Sequence, residues 1–295
     1  MARVLVLGGT GMLGHVLWRT CAERFDAYAS VRGDELVGAA WMVDPDRVVT
    51  GVRAADPASL GRALDEVRPD TVVNCIGVVK QVLDGPAEAI RTNALFPHEL
   101  AGACRERGVR LIHVSNDCVF SGARGGYVET DPPDPVDTYG RSKLLGEPAT
   151  PGALTIRTSM IGRELATSNG LLEWFLAHSG TTVRGFARAV FSGPTTPVLS
   201  RAIADVIDRR PSLEGLYHLS ASPITKHELL LLLREGFAVD VEIEPDESVV
   251  VDRSLDSSAF RAATGWEPPS WREMVAELAE SADEYAEVRD ARARR

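Results

Sequence analysis

Short apolar runs alternate with segments of helical periodicity through the first half of the chain. The runs are rich in Val, Leu and Ile, and this alternation is typical of buried parallel strands joined by crossover helices. Strands are predicted at Arg3–Leu7, Ala27–Ser30, Arg47–Gly51, Thr71–Cys75, Arg110–Val114 and Ala153–Ile156. Helices are expected to begin near Met12, Asp56, Pro86 and Asp137. The order predicts an α/β fold with a doubly wound parallel sheet.

The pattern becomes mixed after about Ile161. It predicts a helix and three strands, at Leu171–His178, Val183–Gly185, Tyr217–Leu219 and Val241–Ile243. Two capping boxes, Thr225 with Glu228 and Ser270 with Glu273, mark the starts of further helices. We therefore expect residues 1–160 to form one lobe. Residues 161–295 are expected to form a smaller mixed α/β lobe that closes over the carboxyl ends of the sheet, with the two lobes interleaved and the tail Arg289–Arg295 frayed.

A glycine-rich turn joins the first predicted strand to the first predicted helix. Glycines permit a sharp turn and close approach of a ligand, and the helix N-terminus supplies N–H donors and a positive dipole. A strand–helix turn that binds nothing is the alternative. In this context the pattern favours a Rossmann-type dinucleotide-binding domain. The residues expected to contact the dinucleotide are Gly8, Thr10, Gly11, Met12, Leu13 and Gly14.

The end of the second predicted strand bears on the choice of coenzyme. An arginine there suits the 2′-phosphate of NADP, whereas an acidic residue suits the ribose hydroxyl of NAD. Arg32 stands near the expected place and favours NADP(H), although it also fits an ordinary surface arginine. Asp34 and Glu35 follow closely, so NAD(H) stays the alternative. The fourth strand ends in Cys75, Ile76 and Gly77, which are expected to lie along the coenzyme.

Tyr139 and Lys143 stand four residues apart, a spacing that places them on one face of a helix. An ammonium beside a phenol favours the phenolate and lowers its pKa from about 10. Such a tyrosine can exchange a proton near neutrality. Together with the glycine turn, this pair predicts hydride and proton transfer.

Composition excludes several classes of partner. The net charge of −10 and a pI near 5.2 argue against nucleic acid or an anionic membrane as the main partner. The four cysteines have no CxxC spacing and are interpreted as reduced thiols of a cytoplasmic protein. The apolar run Val4–Leu7 is too short for a signal peptide. No cluster has metal-ligand spacing, so no metal is expected.

Taken together, the motifs resemble those of the extended short-chain dehydrogenase/reductases. More narrowly, the chain resembles the dTDP-4-dehydrorhamnose reductase-like branch of sugar-nucleotide reductases over essentially its whole length. The segments that carry the resemblance are the glycine run, Asn74–Gly77, Asn93-Ala94, Ser115–Gly122, Tyr139-x-x-x-Lys143 and Arg157–Ser159. The resemblance implies that Tyr139 is the general acid/base and that Lys143 holds the nicotinamide ribose while lowering the pKa of the tyrosine.

Asn116 departs from the pattern of that family. The family has a serine or threonine there that hydrogen-bonds the substrate carbonyl. An asparagine amide still donates to a carbonyl oxygen, but it cannot relay a proton. Ser115 would point to the opposite face of the strand, whereas Cys118 would face the same way as Asn116 if the strand continues. Asn116 is therefore assigned to the catalytic set, with slower chemistry, a changed reaction or lost activity left open.

The resemblance implies a reductase of a nucleotide-linked 4-keto-6-deoxy sugar that uses NADPH. The residues expected to contact this substrate are Lys80, Cys118, Trp174 and Arg184, although Trp174 also fits a core position. Two other functions stay open: an NAD-retaining epimerase or dehydratase, and a non-catalytic dinucleotide-binding subunit that regulates a partner enzyme. A homodimer is also left open.

Overall fold

The computed structural model describes residues 1–33, 44–80, 85–165 and 167–286. Its strands are β1 (Arg3–Leu7), β2 (Asp26–Ser30), β3 (Val48–Val49), β4 (Thr71–Asn74), β5 (Arg110–Asn116), β6 (Ala153–Thr158), β7 (Thr181–Phe186), β8 (Ala189–Phe191), β9 (Gly215–His218), β10 (Ile224–Thr225), β11 (Val241–Asp246) and β12 (Val251–Asp252). Asp34, Glu35 and the tail Arg289–Arg295, named in the sequence predictions, lie outside the described residues.

The helices alternate with these strands in the first half. They are α1 (Gly14–Ala22), α2 (Pro57–Val67), α3 (Pro86–Ala89), α4 (Phe96–Glu106), α5 (Thr138–Leu145), α6 (Leu171–Leu176), α7 (Thr196–Arg209), α8 (Lys226–Gly236), α9 (Ser258–Thr264) and α10 (Trp271–Glu280). Short 3₁₀ turns cover Pro45–Arg47 and Asp117–Val119, and a π-helical turn covers Ile90–Leu95.

Seven strands form one sheet in the order β3-β2-β1-β4-β5-β6-β9, and every neighbouring pair is parallel. The predicted doubly wound parallel sheet is confirmed. The strand order reverses between β1 and β4. In such sheets, the crevice at the carboxyl ends of the two strands at the reversal is where ligands bind.

The alternating side chains of β1 build the core on both faces of this sheet. Val4 and Val6 pack against α1 and α7, in the cluster that contains Leu17. Leu5 and Leu7 pack against α2 and α4 on the opposite face. Because both faces are covered, the strand is apolar from Val4 to Leu7, as is typical of buried parallel strands.

The second half of the chain completes the main sheet. The strand predicted at Tyr217–Leu219 was expected in the second lobe, but as β9 it pairs with β6. Without β9, the β6 edge would present unpaired backbone groups. The remaining small strands form the sheets β10-β8-β12 and β11-β7, which pack with α6, α8 and α10 in a separate cluster. A strand from the second half of the chain thus belongs to the main sheet.

Some predicted boundaries are wrong. The strand predicted at Arg47–Gly51 shrinks to β3. The helix expected from Pro86 is divided into α3, the π-helical turn and α4. Pro97 lies in the first turn of α4, where its missing N–H costs no helical hydrogen bond, so a new helical segment starts there. Both predicted capping boxes are present, at the starts of α8 and α10.

Candidate active site

The glycine turn lies at the crevice between β1 and β4. Gly8 has a φ of +82°, and the N–H of Gly11 donates to the Gly8 carbonyl over 2.9 Å. A Cβ at Gly14 would overlap the Gly8 carbonyl oxygen, and one at Gly9 would lie 2.7 Å from Cβ of Ala29. These positions require glycine because the turn folds onto itself and onto β2.

The turn presents backbone donors at the start of α1. Among the hydrogen bonds of the described residues, the N–H groups of Met12 and Leu13 have no protein acceptor. The first turn of α1 carries no acidic residue that would neutralise its positive end. The turn therefore fits an anionic group such as a diphosphate.

The end of β4 lies directly beside this turn. The N–H of Cys75 donates to the Leu7 carbonyl over 3.1 Å, and a Cβ at Gly8 would lie 3.2 Å from Cγ1 of Ile76. Gly77 follows, exposed at the carboxyl end of the sheet. Arg32 is also exposed, just beyond the end of β2. The structure thus brings the sequence-predicted dinucleotide residues to one edge of the sheet.

Helix α5 carries the tyrosine and the lysine. Asp137 caps it by accepting from the N–H of Gly140 over 2.8 Å. A Cβ at Gly140 would overlap the Cys118 carbonyl oxygen, so only glycine lets the helix pack this closely on the 3₁₀ turn after β5. That approach brings Tyr139 against Asn116.

Asn116 is held between two partners. Its Oδ1 accepts from the N–H of Cys118 over 3.1 Å, and its Nδ2 donates to the Tyr139 hydroxyl over 2.6 Å. Because an N–H donor needs an acceptor, the Cys118 contact fixes which end of the amide faces Tyr139. The second hydrogen on Nδ2 is available to another oxygen. The amide is therefore a donor aimed at the phenol oxygen.

The phenol of Tyr139 is more basic than its spacing to Lys143 suggested. Loss of solvent raises the pKa of Tyr139 above its usual value, and the nearby Cys118 and Asp117 raise it further, while the bond from Asn116 lowers it. The lowered pKa expected from the Tyr/Lys spacing is wrong for the protein alone, because burial outweighs the other effects. Tyr139 is protonated at neutral pH.

Lys143 is buried beneath the crevice. Its Nζ donates to the Val114 carbonyl over 3.0 Å, and burial lowers the pKa of Lys143 to about 8, against opposing effects of Glu147 and Cys75. A Cβ at Gly77 would lie 4.0 Å from this Nζ. The ammonium therefore faces the end of β4, on the dinucleotide side of the site.

Ser115 points away from Tyr139, as predicted from strand alternation. Its hydroxyl donates to Glu147 over 2.6 Å, and Arg157 donates to both oxygens of the same carboxylate at 2.8 Å. This buried pair fixes the end of α5 to β6. The strand itself ends at Asn116, so the condition under which Cys118 would share its face is not met. Cys118 is half-buried in the 3₁₀ turn and still influences Tyr139 electrostatically.

Sequence reasoning missed the side chains that support this arrangement. Buried Asn93 accepts from the N–H of Val78 over 2.9 Å, donates to its carbonyl over 3.0 Å and donates to Ser142 over 3.3 Å. It thereby ties the loop after β4 to α5. The only available signal was the presence of Asn93 among the segments that carry the family resemblance.

Asp117 and Arg253 were also missed. Burial raises the pKa of Asp117, and Arg253, Cys118 and Ser159 oppose this shift. Arg253 donates from Nε to the Phe120 carbonyl over 2.9 Å. Asp117 acts on Tyr139, and Arg253 acts on Asp117 from the second half of the chain. Nothing in local sequence pairs Asp117 with Arg253.

The predicted substrate residues are more scattered. Lys80 is exposed and pairs with Asp137 over 2.8 Å, at the start of α5. Trp174 packs against the apolar cluster of α6, α8 and α10, and the centroid of its ring lies 4.7 Å from that of His178. Arg184 is 77% exposed on β7. No contact described in the structure joins Trp174 or Arg184 to the tyrosine, so their substrate role stays a prediction.

The described residues contain neither a cluster that could hold a metal ion nor a helix that could span a membrane. No group of three or more His, Cys, Asp or Glu side chains in residues 1–33, 44–80, 85–165 and 167–286 is placed to hold a metal ion. Over the same ranges, every helix is too short or too polar to cross a membrane.

The chain is similar to known proteins in both sequence and fold. The chain is 29% identical over 307 residues to the probable low-salt glycan biosynthesis reductase Agl14 of Haloferax volcanii, covering 95% of this chain and 98% of the relative. It is 34% identical over 171 residues to the dTDP-4-dehydrorhamnose reductase of Mycobacterium tuberculosis, covering 54% of this chain and 50% of that enzyme.

Two solved structures show the fold. The dTDP-4-dehydrorhamnose reductase of Bacillus anthracis in complex with NADP superposes with a TM-score of 0.77 at 21% identity, over 96% of this chain and all of that one. The Bordetella bronchiseptica enzyme WbmG in complex with NAD gives 0.80 at 21% identity, over 97% and 95%. A family model described as the RmlD substrate binding domain matches residues 2–284. The chain therefore belongs to the RmlD substrate binding domain family.

Proposed function

We propose that the protein is an NADPH-dependent reductase that converts the 4-keto group of a nucleotide-linked 6-deoxy sugar into an alcohol. The observation that carries the proposal is the contact between Asn116 and a protonated Tyr139 beside the dinucleotide crevice. The family relationship and the reductases among the relatives support the substrate class.

The reaction adds a hydride to the ketone carbon and a proton to its oxygen. A bound nicotinamide coenzyme supplies the hydride. Tyr139 gives its phenol proton to the oxygen as negative charge develops there. The free hydrogen on Nδ2 of Asn116 donates to the same oxygen, and a donor positioned in advance stabilises that charge. Lys143 contributes positive charge on the dinucleotide side of the site.

The two candidate reactions need different protonation states of Tyr139 at their first step. A reductase needs a phenol that carries its proton at neutral pH. An epimerase or dehydratase that begins by oxidising the sugar needs a phenolate instead. A Tyr139 phenol whose pKa is raised by burial fits the role of acid in a reductase.

NADPH is proposed as the preferred coenzyme. Arg32 is exposed at the end of β2, where a guanidinium suits a 2′-phosphate. NADP in the structure of the related fold supports this assignment, and NAD in the other shows that the fold also accepts the unphosphorylated form.

The test follows nicotinamide absorbance with NADPH and with NADH, using dTDP- and UDP-linked 4-keto-6-deoxyhexoses. We expect faster consumption of NADPH with one of these sugars. The variant Tyr139→Phe keeps the ring and removes the proton, so it should bind NADPH normally without turnover. Full activity of this variant would exclude Tyr139 as the acid. Bound coenzyme with no consumption by the wild type would instead favour the epimerase or the regulatory subunit.

A further inference from the structure

A buried polar chain connects the glycine turn to the last described part of the molecule. His15, in the first turn of α1, is 2% exposed. Its Nδ1 lies 2.6 Å from the Gly11 carbonyl oxygen, and its Nε2 lies 2.5 Å from the Tyr285 hydroxyl. None of these contacts belongs to the proposed chemistry at Tyr139.

The chemistry of the partners fixes where the protons lie. A carbonyl oxygen only accepts, so Nδ1 must carry hydrogen and donate to Gly11. Burial lowers the pKa of His15 to about 4, which keeps the ring neutral and leaves Nε2 as an acceptor. The Tyr285 hydroxyl therefore donates to His15. Two successive hydrogen bonds, from Tyr285 to His15 and from His15 to Gly11, therefore end at the Gly11 carbonyl.

Holding that carbonyl orients a donor of the dinucleotide turn. In a planar trans peptide, the C=O of one residue and the N–H of the next point in opposite directions. The peptide between Gly11 and Met12 is trans. The Gly11 oxygen is held by the His15 ring and, over 3.2 Å, by the backbone N–H of the same residue. The N–H of Met12 therefore points away from His15, and it has no protein acceptor among the described residues. This N–H is one of the donors that fit a diphosphate.

Tyr285 is itself firmly held. The Arg163 guanidinium lies 4.6 Å from the centroid of its ring, and Arg163 donates to Glu173 over 2.7 Å in a buried ion pair. The neighbouring residue, Glu284, accepts two hydrogen bonds from Arg19, one turn after His15 on α1. The segment around Tyr285 is thus fixed both to Arg163, in the second half of the chain, and to α1.

We propose that His15 and Tyr285 are positioning residues for the dinucleotide: they hold the Gly11–Met12 peptide with its N–H facing the coenzyme diphosphate. The proposal rests on the coenzyme assignment made above, but not on the sugar substrate. It makes the C-terminal segment a part of the coenzyme site, although that segment lies about 270 residues from the turn in sequence.

The experiment measures the Kd of NADPH by its fluorescence with the full-length protein. Tyr285→Phe removes one hydroxyl, and we expect it to weaken binding about 3- to 10-fold, the worth of one lost hydrogen bond. His15→Phe removes the imidazole from the Gly11 carbonyl, so that oxygen keeps only the longer bond of 3.2 Å from the backbone N–H of residue 15. It should weaken binding by at least about 10-fold. At saturating NADPH the turnover number should stay within about 2-fold, because only ground-state coenzyme binding changes.

Two controls separate positioning from general damage. Glu284→Gln loosens the same segment at the surface without touching His15, so it should bind NADPH like the wild type. Adenosine 2′-monophosphate carries no diphosphate, and its Kd, measured by competition, should not change in Tyr285→Phe.

Three results would overturn the proposal: NADPH binding by Tyr285→Phe equal to that of the wild type, an equal loss in Glu284→Gln, or a parallel loss of adenosine 2′-monophosphate. A wild-type protein that binds neither NADPH nor NADH would overturn both this proposal and the coenzyme assignment. A wild-type protein that binds NADPH but reduces no sugar would contradict only the proposed reaction.

Discussion

Asn116 combines two tasks in one side chain. Its oxygen caps the 3₁₀ turn at Cys118, and its nitrogen donates to Tyr139. The sequence identified Asn116 as a replacement for a hydroxyl residue. It did not reveal the contact with Tyr139, because that contact depends on how closely α5 packs on the turn. The amide therefore has a dedicated place in the site.

Asn116→Asp is the sharpest substitution at this position. It keeps the oxygen that caps the turn, so we expect an unchanged thermal midpoint. It replaces the donor by a carboxylate that accepts a hydrogen bond from the Tyr139 hydroxyl and repels an oxyanion, so kcat should fall about 10²- to 10³-fold. Steady-state kinetics and thermal melts measure both effects.

Asn116→Thr serves as the matched control, because a hydroxyl still donates to the substrate oxygen. Activity equal to or above that of the wild type is expected if the amide acts only as a donor. If Asn116→Asp were as active as the wild type, Asn116 would have no part in stabilising charge.

The charge of Lys143 should make the KM for the dinucleotide depend on pH. Burial lowers its pKa to about 8, so the ammonium loses its charge as the pH rises through that value. The KM for the dinucleotide should therefore increase above about pH 8, while Tyr139 stays protonated. Lys143→Met should show a high KM without this pH dependence. A wild-type KM that stays constant to pH 9.5 would contradict a role of the Lys143 ammonium in dinucleotide binding.

The same variant has an expected effect on stability. In the folded protein the pKa of Lys143 lies below the ordinary lysine value of 10.5, so burial of the ammonium opposes folding at neutral pH. This penalty disappears as the pH rises from about 8 to 10.5. Lys143→Met should thus raise the free energy of unfolding by about 1–3 kcal/mol at pH 7. Denaturant titration separates this gain from the loss of function.

Among the elements, α5 is placed by a close contact that glycine permits. Gly140→Ala would force its Cβ against the Cys118 carbonyl oxygen and push the helix off the turn. We expect a loss of about 1–3 kcal/mol in unfolding free energy, together with most of the activity. Chemical denaturation and kinetics on the same preparation test this.

Gly102→Ala, in α4, provides a matched comparison because its added Cβ would meet no atom within 4 Å. It should raise stability by about 0.5–1 kcal/mol without changing activity. Equal destabilisation by both variants would show that the contact with Cys118 does not govern the position of α5.

Most elements of the first half were predictable because each has a local cause. The apolar runs gave β1, β2, β4, β5 and β6 within a few residues, and the capping boxes gave the starts of α8 and α10. The π-helical turn was not predictable. It joins α3 to α4 where Asn93 reaches back to Val78, a contact between segments separate in sequence.

At the scale of the whole molecule, the first half of the chain and the second half should unfold together. A fragment of residues 1–160 would leave the β6 edge without β9 and expose the face of α1 that packs on α7. We expect this fragment to show no cooperative thermal transition by circular dichroism, and the full chain to show one. A folded, dinucleotide-binding fragment would contradict this expectation.

The sequence by itself determined the parallel sheet, the glycine turn and the Tyr139/Lys143 pair, because periodicity and short spacings act within a few residues of chain. Tertiary structure alone decided the rest: the place of β9 in the main sheet, the donor end of Asn116 that faces Tyr139, and the link from Tyr285 to Gly11. The pKa of Tyr139 also belongs to this group, because burial depends on every element packed around the phenol.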